Sequence, residues 1–343
     1  MNNIFEGKTI LVTGGTGSVG SEIVRCLLEH NPKTVRIMGR DDTGLFNMDQ
    51  ELKSEKMRFF IGDIRDKDRL KRAISGVDII FHAAALKHVP LCEYNPFEAI
   101  KTNVIGLQNV LEVAMDEGTE TLINISTDKA VNPGNVMGAT KLLAERLVIS
   151  ANNYRGAAGK PAFSCVRFGN VLNSRGSVVP VFRNQAKNGG PLTVTDLNMT
   201  RFMMGIREAA MLVLKATEIA TGGEIFILKL PVVRIGDLAK AIIEEVAQEN
   251  GFDPKEIGIK VTGRRAGEKL DEQLMTDEEA NNAYENEKML IVLPQHQEIS
   301  LSATKNTRGN LPDYFKKVPD GKYSSGDITP LSIEAIKKMI DDK

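Results

Sequence analysis

The chain has 343 residues, 42% of them hydrophobic and 26% charged, with 44 basic against 45 acidic side chains and a net charge of −1. That balance fits a globular protein large enough for two lobes and excludes the basic footprint that nucleic acid demands. The cysteines Cys26, Cys92 and Cys165 and the four histidines are too scattered for a disulfide framework or a metal site, so neither is expected. No apolar run nears the roughly 18 residues of a membrane span, and MNNIFEGK lacks a leader pattern. A cytoplasmic protein without a membrane partner is expected.

Through the first half, short apolar runs alternate with amphipathic stretches. Strands are expected at 8–14, 34–40, 56–64, 76–85 and 120–127, and helices at 21–30, 67–75 and 96–118. Strands rich in Val and Ile, without alternation, belong to a parallel sheet covered on both faces. Strand–helix–strand repetition specifies a doubly wound α/β sheet. A helix then runs on past residue 141, a core strand is expected at 161–171, and shorter strands at 224–230, 257–263 and 289–294.

TGGTGSVG (13–20) joins the first strand to the first helix. Gly14, Gly17 and Gly20, with Thr16, Ser18 and Val19 between them, have the spacing of a dinucleotide loop, where side chains would keep a pyrophosphate from the helix N-terminus. After the second strand, Arg40 stands where an acidic residue would hold the ribose 2′-OH of NAD. An arginine suits the 2′-phosphate of NADP, although Asp41 and Asp42 could still reach a ribose. NADP is therefore expected ahead of NAD. Asp63 and Ile64 follow the third strand as adenine-side contacts, and Ala83 and Ala84 end the fourth with the small residues that a close cofactor needs. The reading is a Rossmann-type doubly wound sheet with a smaller α/β substrate lobe. Residues 1–170 form the dinucleotide domain, with later segments returning to it, and 171–343 form mainly the substrate lobe.

STDKAVNPGNVMGATK (126–141) has the form of a short-chain dehydrogenase catalytic segment, usually marked Tyr-x-x-x-Lys, but Met137 stands four residues before Lys141. A thioether cannot exchange a proton. With AAALKHVP (83–90), FGNVLNSRGSVVPVF (168–182), MTRF (199–202), GRRAGEK (263–269) and YSSGDITPLSIEAI (323–336), the chain resembles the UDP-N-acetylglucosamine 4,6-dehydratases of the extended short-chain dehydrogenase superfamily, in the CapD-like polysaccharide-biosynthesis group. That group includes members with Met in place of Tyr, and Gly326 is a small departure from its pattern.

The resemblance implies oxidation at sugar C4, loss of water across C5 and C6, and return of the same hydride to C6. The product is a UDP-4-keto-6-deoxy-hexosamine, with inversion at C5 weakly favoured by the likeness. Asp128 would take the C4 hydroxyl proton and deliver it to the departing C6 hydroxyl. Lys129, just past a strand end, would take H5, for which its ordinary pKa of about 10.4 must fall. Lys141 would hold the nicotinamide ribose, Thr127 the C4 oxygen, Met137 would pack, and Asn103 would serve the cofactor side in a structural or relay role.

A UDP-N-acetylglucosamine or related UDP-sugar needs permanent charge for its diphosphate. Arg265 is the candidate, with Glu268 orienting it or binding ribose. Lys87, Asn170, Val178, Thr195 and Arg201 complete the expected substrate side. A homo-oligomer is expected. Two rivals stand beside this reading: a nucleotide-sugar C4-epimerase, which has no need of an acid and base around C5 and C6, and a non-catalytic dinucleotide sensor.

Overall fold

A computed structural model describes residues 3–155, 160–294, 311–319 and 321–341. The chain begins β1 (Thr9–Thr13), α1 (Ser18–Glu29), β2 (Thr34–Gly39), α2 (Asp42–Leu52), β3 (Met57–Ile61), α3 (Lys67–Ile74) and β4 (Ile79–His82). Then come α4 (Val89–Tyr94), α5 (Pro96–Ile100), a π-helical turn at Lys101–Gly106, α6 (Leu107–Asp116), β5 (Thr121–Ile125), α7 (Val136–Ala151) and β6 (Ala162–Arg167). The second half holds β7 (Asn170–Val171), α8 (Val178–Lys187), β8 (Leu192–Val194), β9 (Thr200–Met204), α9 (Ile206–Ile219), β10 (Ile225–Leu228), β11 (Val232–Arg234) and α10 (Ile235–Glu249). It ends with β12 (Ile259–Val261), β13 (Gln273–Met275), α11 (Asp277–Ala280), β14 (Ala283–Glu285), β15 (Met289–Val292), β16 (Lys316–Lys317), β17 (Tyr323–Ser324) and α12 (Ile333–Asp341).

Ten strands form one sheet in the order β16-β14-β15-β10-β6-β5-β4-β1-β2-β3. From β3 to β10 every neighbour is parallel, whereas β15, β14 and β16 add antiparallel strands at one edge. All five residues of β1 are buried. Successive side chains point to opposite faces, so both faces are covered. This is a Rossmann-type doubly wound sheet, and the order reverses between β1 and β4, where such sheets open a crevice beyond their carboxyl ends.

A separate apolar cluster joins Leu172, Val179, Phe182, Leu192 and Met203 to Leu238, Ile242, Ile257, Ile336 and Ile340. It draws α8, β8, α10 and α12 together, while β10, β14, β15 and β16 pass back to the large sheet. The chain therefore crosses between the two cores more than once. A buried strut reinforces the crossing: Arg167 of β6, 1% exposed, donates to Glu145 of α7, to Glu279 of α11 and to the Leu274 carbonyl.

Candidate active site

The turn after β1 brings the backbone against the end of β4. Gly14 has φ +66°, and a β-carbon there would lie 2.7 Å from the Ala84 Cα and N, so only glycine fits both the torsion and the contact. Gly17 caps α1 without a side chain, leaving the first-turn N–H groups and the positive end of the helix dipole free for an anion. Gly14, Thr16, Gly17, Arg40, Asp63, Ile64, Ala83 and Ala84 line one cleft with Asp41 and Thr102. These residues fit a dinucleotide.

Five expected cofactor residues, Ser18, Val19, Gly20, Asn103 and Lys141, stand outside that lining. Val19 packs on the large core, Gly20 is buried, and the Ser18 hydroxyl accepts from the Arg175 N–H at 2.9 Å, tying the first helix to the loop before α8. Asn103 is 3% exposed and uses both amide donors on the Leu86 carbonyl and Thr140, while accepting from the Leu86 N–H. It clamps the 83–86 segment to α7. Arg40 leans toward Asp63 at 3.4 Å. Burial raises the Asp63 carboxyl, but hydrogen bonds and charge from Arg65, aided by Arg40, outweigh it and hold the group below its ordinary value.

Past β5 the chain enters a short 3₁₀ turn, Asp128–Ala130. Asp128 is 0% exposed; its Oδ1 accepts from the Thr127 hydroxyl at 2.8 Å and from Lys129 Nζ at 2.9 Å. Its Oδ2 is buried and accepts nothing from the described residues. An ion pair with one orphaned buried oxygen is costly unless another donor arrives, as a sugar hydroxyl would. On the neighbouring helix, Met137 is 3% exposed and packs with Cys92, Ala99 and Leu86, and Lys141 donates to the Ile125 carbonyl at 2.7 Å.

Lys129 differs from the sequence expectation in its proton affinity. Burial lowers the Lys129 ammonium, but Asp128 and Glu272 together outweigh that and hold it above its ordinary range. The expected fall is therefore corrected: in the resting site this amine keeps its proton. Lys141 is the one pushed down, to about 8, by burial that Cys165 and Glu145 only partly offset. Glu272 has no motif signal; only the fold puts it 3.8 Å from Lys129 Nζ. His82 is likewise missed, buried with Nδ1 2.8 Å from the Thr13 hydroxyl and pushed down to about 3 by burial and by Lys141.

On the substrate side, Asn170 keeps a buried Oδ1 with no partner among the described residues. The GRRAGEK loop docks on the 131–135 segment through Lys269 Nζ to the Val131 carbonyl at 2.8 Å and Asn135 to the Gly267 carbonyl at 3.2 Å. Arg265 is exposed, and Glu268 accepts from its N–H and from Thr195. Val178 opens α8, half-buried beside the second core. Lys87 is exposed, its ammonium lowered by partial desolvation and by Arg175. Arg201 is buried: its guanidinium donates to the carbonyls of Thr200, Lys269 and Leu270, and its Nε lies 3.9 Å from Glu272 Oε1.

A family model described as polysaccharide biosynthesis protein matches residues 10–294. A protein of Methanocaldococcus jannaschii, named only as an uncharacterized membrane protein, is 58% identical over 342 residues, covering 100% of this chain and 98% of that one. Among the described residues here, no helix is long and apolar enough to cross a membrane. The inverting UDP-N-acetylglucosamine 4,6-dehydratase of Campylobacter jejuni is 41% identical over 95% of both chains. A Rickettsia conorii protein named UDP-glucose 4-epimerase is 43% identical over 82% of this chain and 81% of its own. The X-ray structure of Pen from Bacillus thuringiensis superposes with a TM-score of 0.89 at 40% identity, covering 99% of this chain and 98% of that one.

Proposed function

This chain belongs to the polysaccharide biosynthesis protein family, and on that premise we propose that it is an NADP-dependent UDP-N-acetylglucosamine 4,6-dehydratase. One observation carries the reading. A fully buried carboxylate, Asp128, sits at the carboxyl end of a central strand with Lys129 and the Thr127 hydroxyl on one oxygen and, among the described residues, nothing on the other. An acid–base pair there can serve elimination without a phenol.

In this reading residues 1–170 hold the dinucleotide, and the lobe formed mainly by 171–343 holds the nucleotide sugar. The residues lining the cleft at the glycine turn would hold NADP, which would supply the hydride acceptor for C4 and the donor for C6. Thr127 steadies the C4 oxygen while Asp128 takes its proton. Lys129 removes H5, made acidic by the new ketone, and Asp128 releases its proton to the departing C6 hydroxyl as water. Lys141 orients the nicotinamide ribose. Arg265 faces the diphosphate, and the unpartnered Asn170 oxygen accepts from a hydroxyl or amide of the substrate.

The epimerase-named relatives favour a second reading, C4 epimerisation of a UDP-sugar on the same frame. Incubation with UDP-N-acetylglucosamine and NADP in deuterated water separates the two. Mass spectrometry should find product lighter by one water and deuterium at C5, whose configuration reports inversion or retention. Product of unchanged mass would install the epimerase instead, and NADP binding without turnover would install the sensor.

A further inference from the structure

Behind Asp128 and Lys129 stands a second buried carboxylate. Glu272 is 3% exposed, with Oε1 3.8 Å from Lys129 Nζ and 3.9 Å from Arg201 Nε. Its Oε2, like Asp128 Oδ2, is buried and accepts no hydrogen bond from the described residues. The backbone beneath it is fixed from both sides: the Glu272 N–H donates to Ser325 Oγ at 2.9 Å, and the Ser325 N–H donates to the Glu272 carbonyl at 2.8 Å. One ammonium thus lies between two rigidly placed carboxylates, each with an idle oxygen. Arg201 and Lys269 are the other charges that face Glu272.

The arrangement meets a difficulty in the proposed chemistry. While Asp128 is ionised, Lys129 stays an ammonium and cannot take H5. Once Asp128 has accepted the C4 proton, Lys129 faces a single carboxylate, and its proton needs somewhere to go in a site closed by sugar. We propose that Glu272 is a positioning residue for this step, taking the ammonium proton of Lys129 after Asp128 has been protonated, so that a free amine meets H5. The inference rests on the dehydratase reading above.

The protons balance. Transfer from Nζ to Glu272 turns ammonium and carboxylate into amine and carboxylic acid, with no change in net charge. Closing the gap to hydrogen-bond length needs about 1 Å of movement of the lysine tip. The amine then becomes ammonium again on taking H5, and Asp128 returns to carboxylate as water leaves. The cluster now holds one proton more than at rest, equal to the one that C5 must regain, and its departure restores the Glu272 carboxylate. Burial and the neighbouring Asp128 raise the Glu272 carboxyl, against Lys129, Arg201 and Lys269, which suits it to hold a proton for part of a cycle.

The test compares wild type, Glu272→Gln and Glu272→Asp with UDP-N-acetylglucosamine and NADP, following reduced nicotinamide for the oxidation and water loss for the elimination. Glu272→Gln should still reduce the nicotinamide but eliminate about a hundredfold more slowly at pH 7. Its elimination should gain with rising pH where wild type is flat, because the proton must then leave to solvent. Glu272→Asp should recover most of the rate. The idea is overturned if Glu272→Gln eliminates at the wild-type rate with an unshifted profile. It is equally overturned if oxidation and elimination fall together and Glu272→Asp rescues neither, since that is a structural role. Wild type that releases no water removes the dehydratase reading itself, and the inference with it.

Discussion

A β-carbon on Gly138 would stand 2.3 Å from the carbonyl oxygen of Lys129. The helix carrying Met137 and Lys141 therefore lies directly on the 3₁₀ turn carrying Asp128 and Lys129, backbone against backbone. In an open helix, alanine would be favoured over glycine by about 1 kcal/mol. Here Gly138→Ala should instead cost about 1–3 kcal/mol in urea unfolding, because neither carbonyl nor helix can yield alone. Turnover should fall with it. A more stable variant would mean that the two segments are not held in this contact.

Asp128 and Met137 should respond in opposite ways. In the proposed reaction Asp128 accepts the C4 proton, so with Asp128→Asn nicotinamide reduction by UDP-sugar should drop about 10²–10⁴-fold with NADP still bound. Met137 lies in a small apolar cluster with Cys92 and Ala99. Met137→Tyr should cost about 1–3 kcal/mol of stability by overpacking yet keep turnover within about tenfold. Comparable, near-complete losses of turnover in both would show that the proton path runs elsewhere.

Arg167 is charged, 1% exposed and bonded to two carboxylates on different elements. Arg167→Met leaves Glu145 and Glu279 buried without compensation, which should destabilise the fold by about 3–5 kcal/mol. Because Arg167 also holds the Leu274 carbonyl, two residues from Glu272, elimination should suffer more than NADP binding in whatever fraction stays folded. A loss below about 1 kcal/mol would contradict the strut.

His82 sets an acid limit. The folded chain keeps the ring neutral, with its pKa pushed down to about 3, whereas the unfolded ring protonates near 6.5. The unfolded state therefore binds more protons between those values, and stability falls as pH drops through that window. His82→Gln should flatten the fall by up to about 1.4 kcal/mol per pH unit there and leave neutral stability comparatively little changed. Parallel curves for the two proteins would show that the ring protonates in place.

Arg40 has an exposed side chain, and its contact with Asp63 is worth little to stability. Arg40→Asp should raise the NADP concentration needed for half-maximal binding by at least about tenfold while improving NAD. Displacement of bound NADPH or NADH, followed by the fluorescence of the reduced nicotinamide as NADP or NAD is added, would measure both. Unchanged NADP affinity would place the phosphate contact on another residue.

The sheet and the glycine turn were legible because they depend on local chemistry: apolar strands without alternation must be covered on both faces, and a close backbone crossing admits only glycine. Thr127, Asp128, Lys129 and Lys141 were legible for a related reason, since a strand end and the following helix bring them together over a short stretch of chain. The protonation of Lys129 was only half legible: its neighbour Asp128 gives the larger support, but Glu272, which adds to it, lies 143 positions further along the sequence and carries no pattern of its own. The engagement of Arg201 with backbone carbonyls and of Asn103 with Leu86 was hidden in the same way. A residue's type states what it can bond, but burial and long-range neighbours decide which of those bonds it makes and which proton it keeps, and both arise only when the chain is folded.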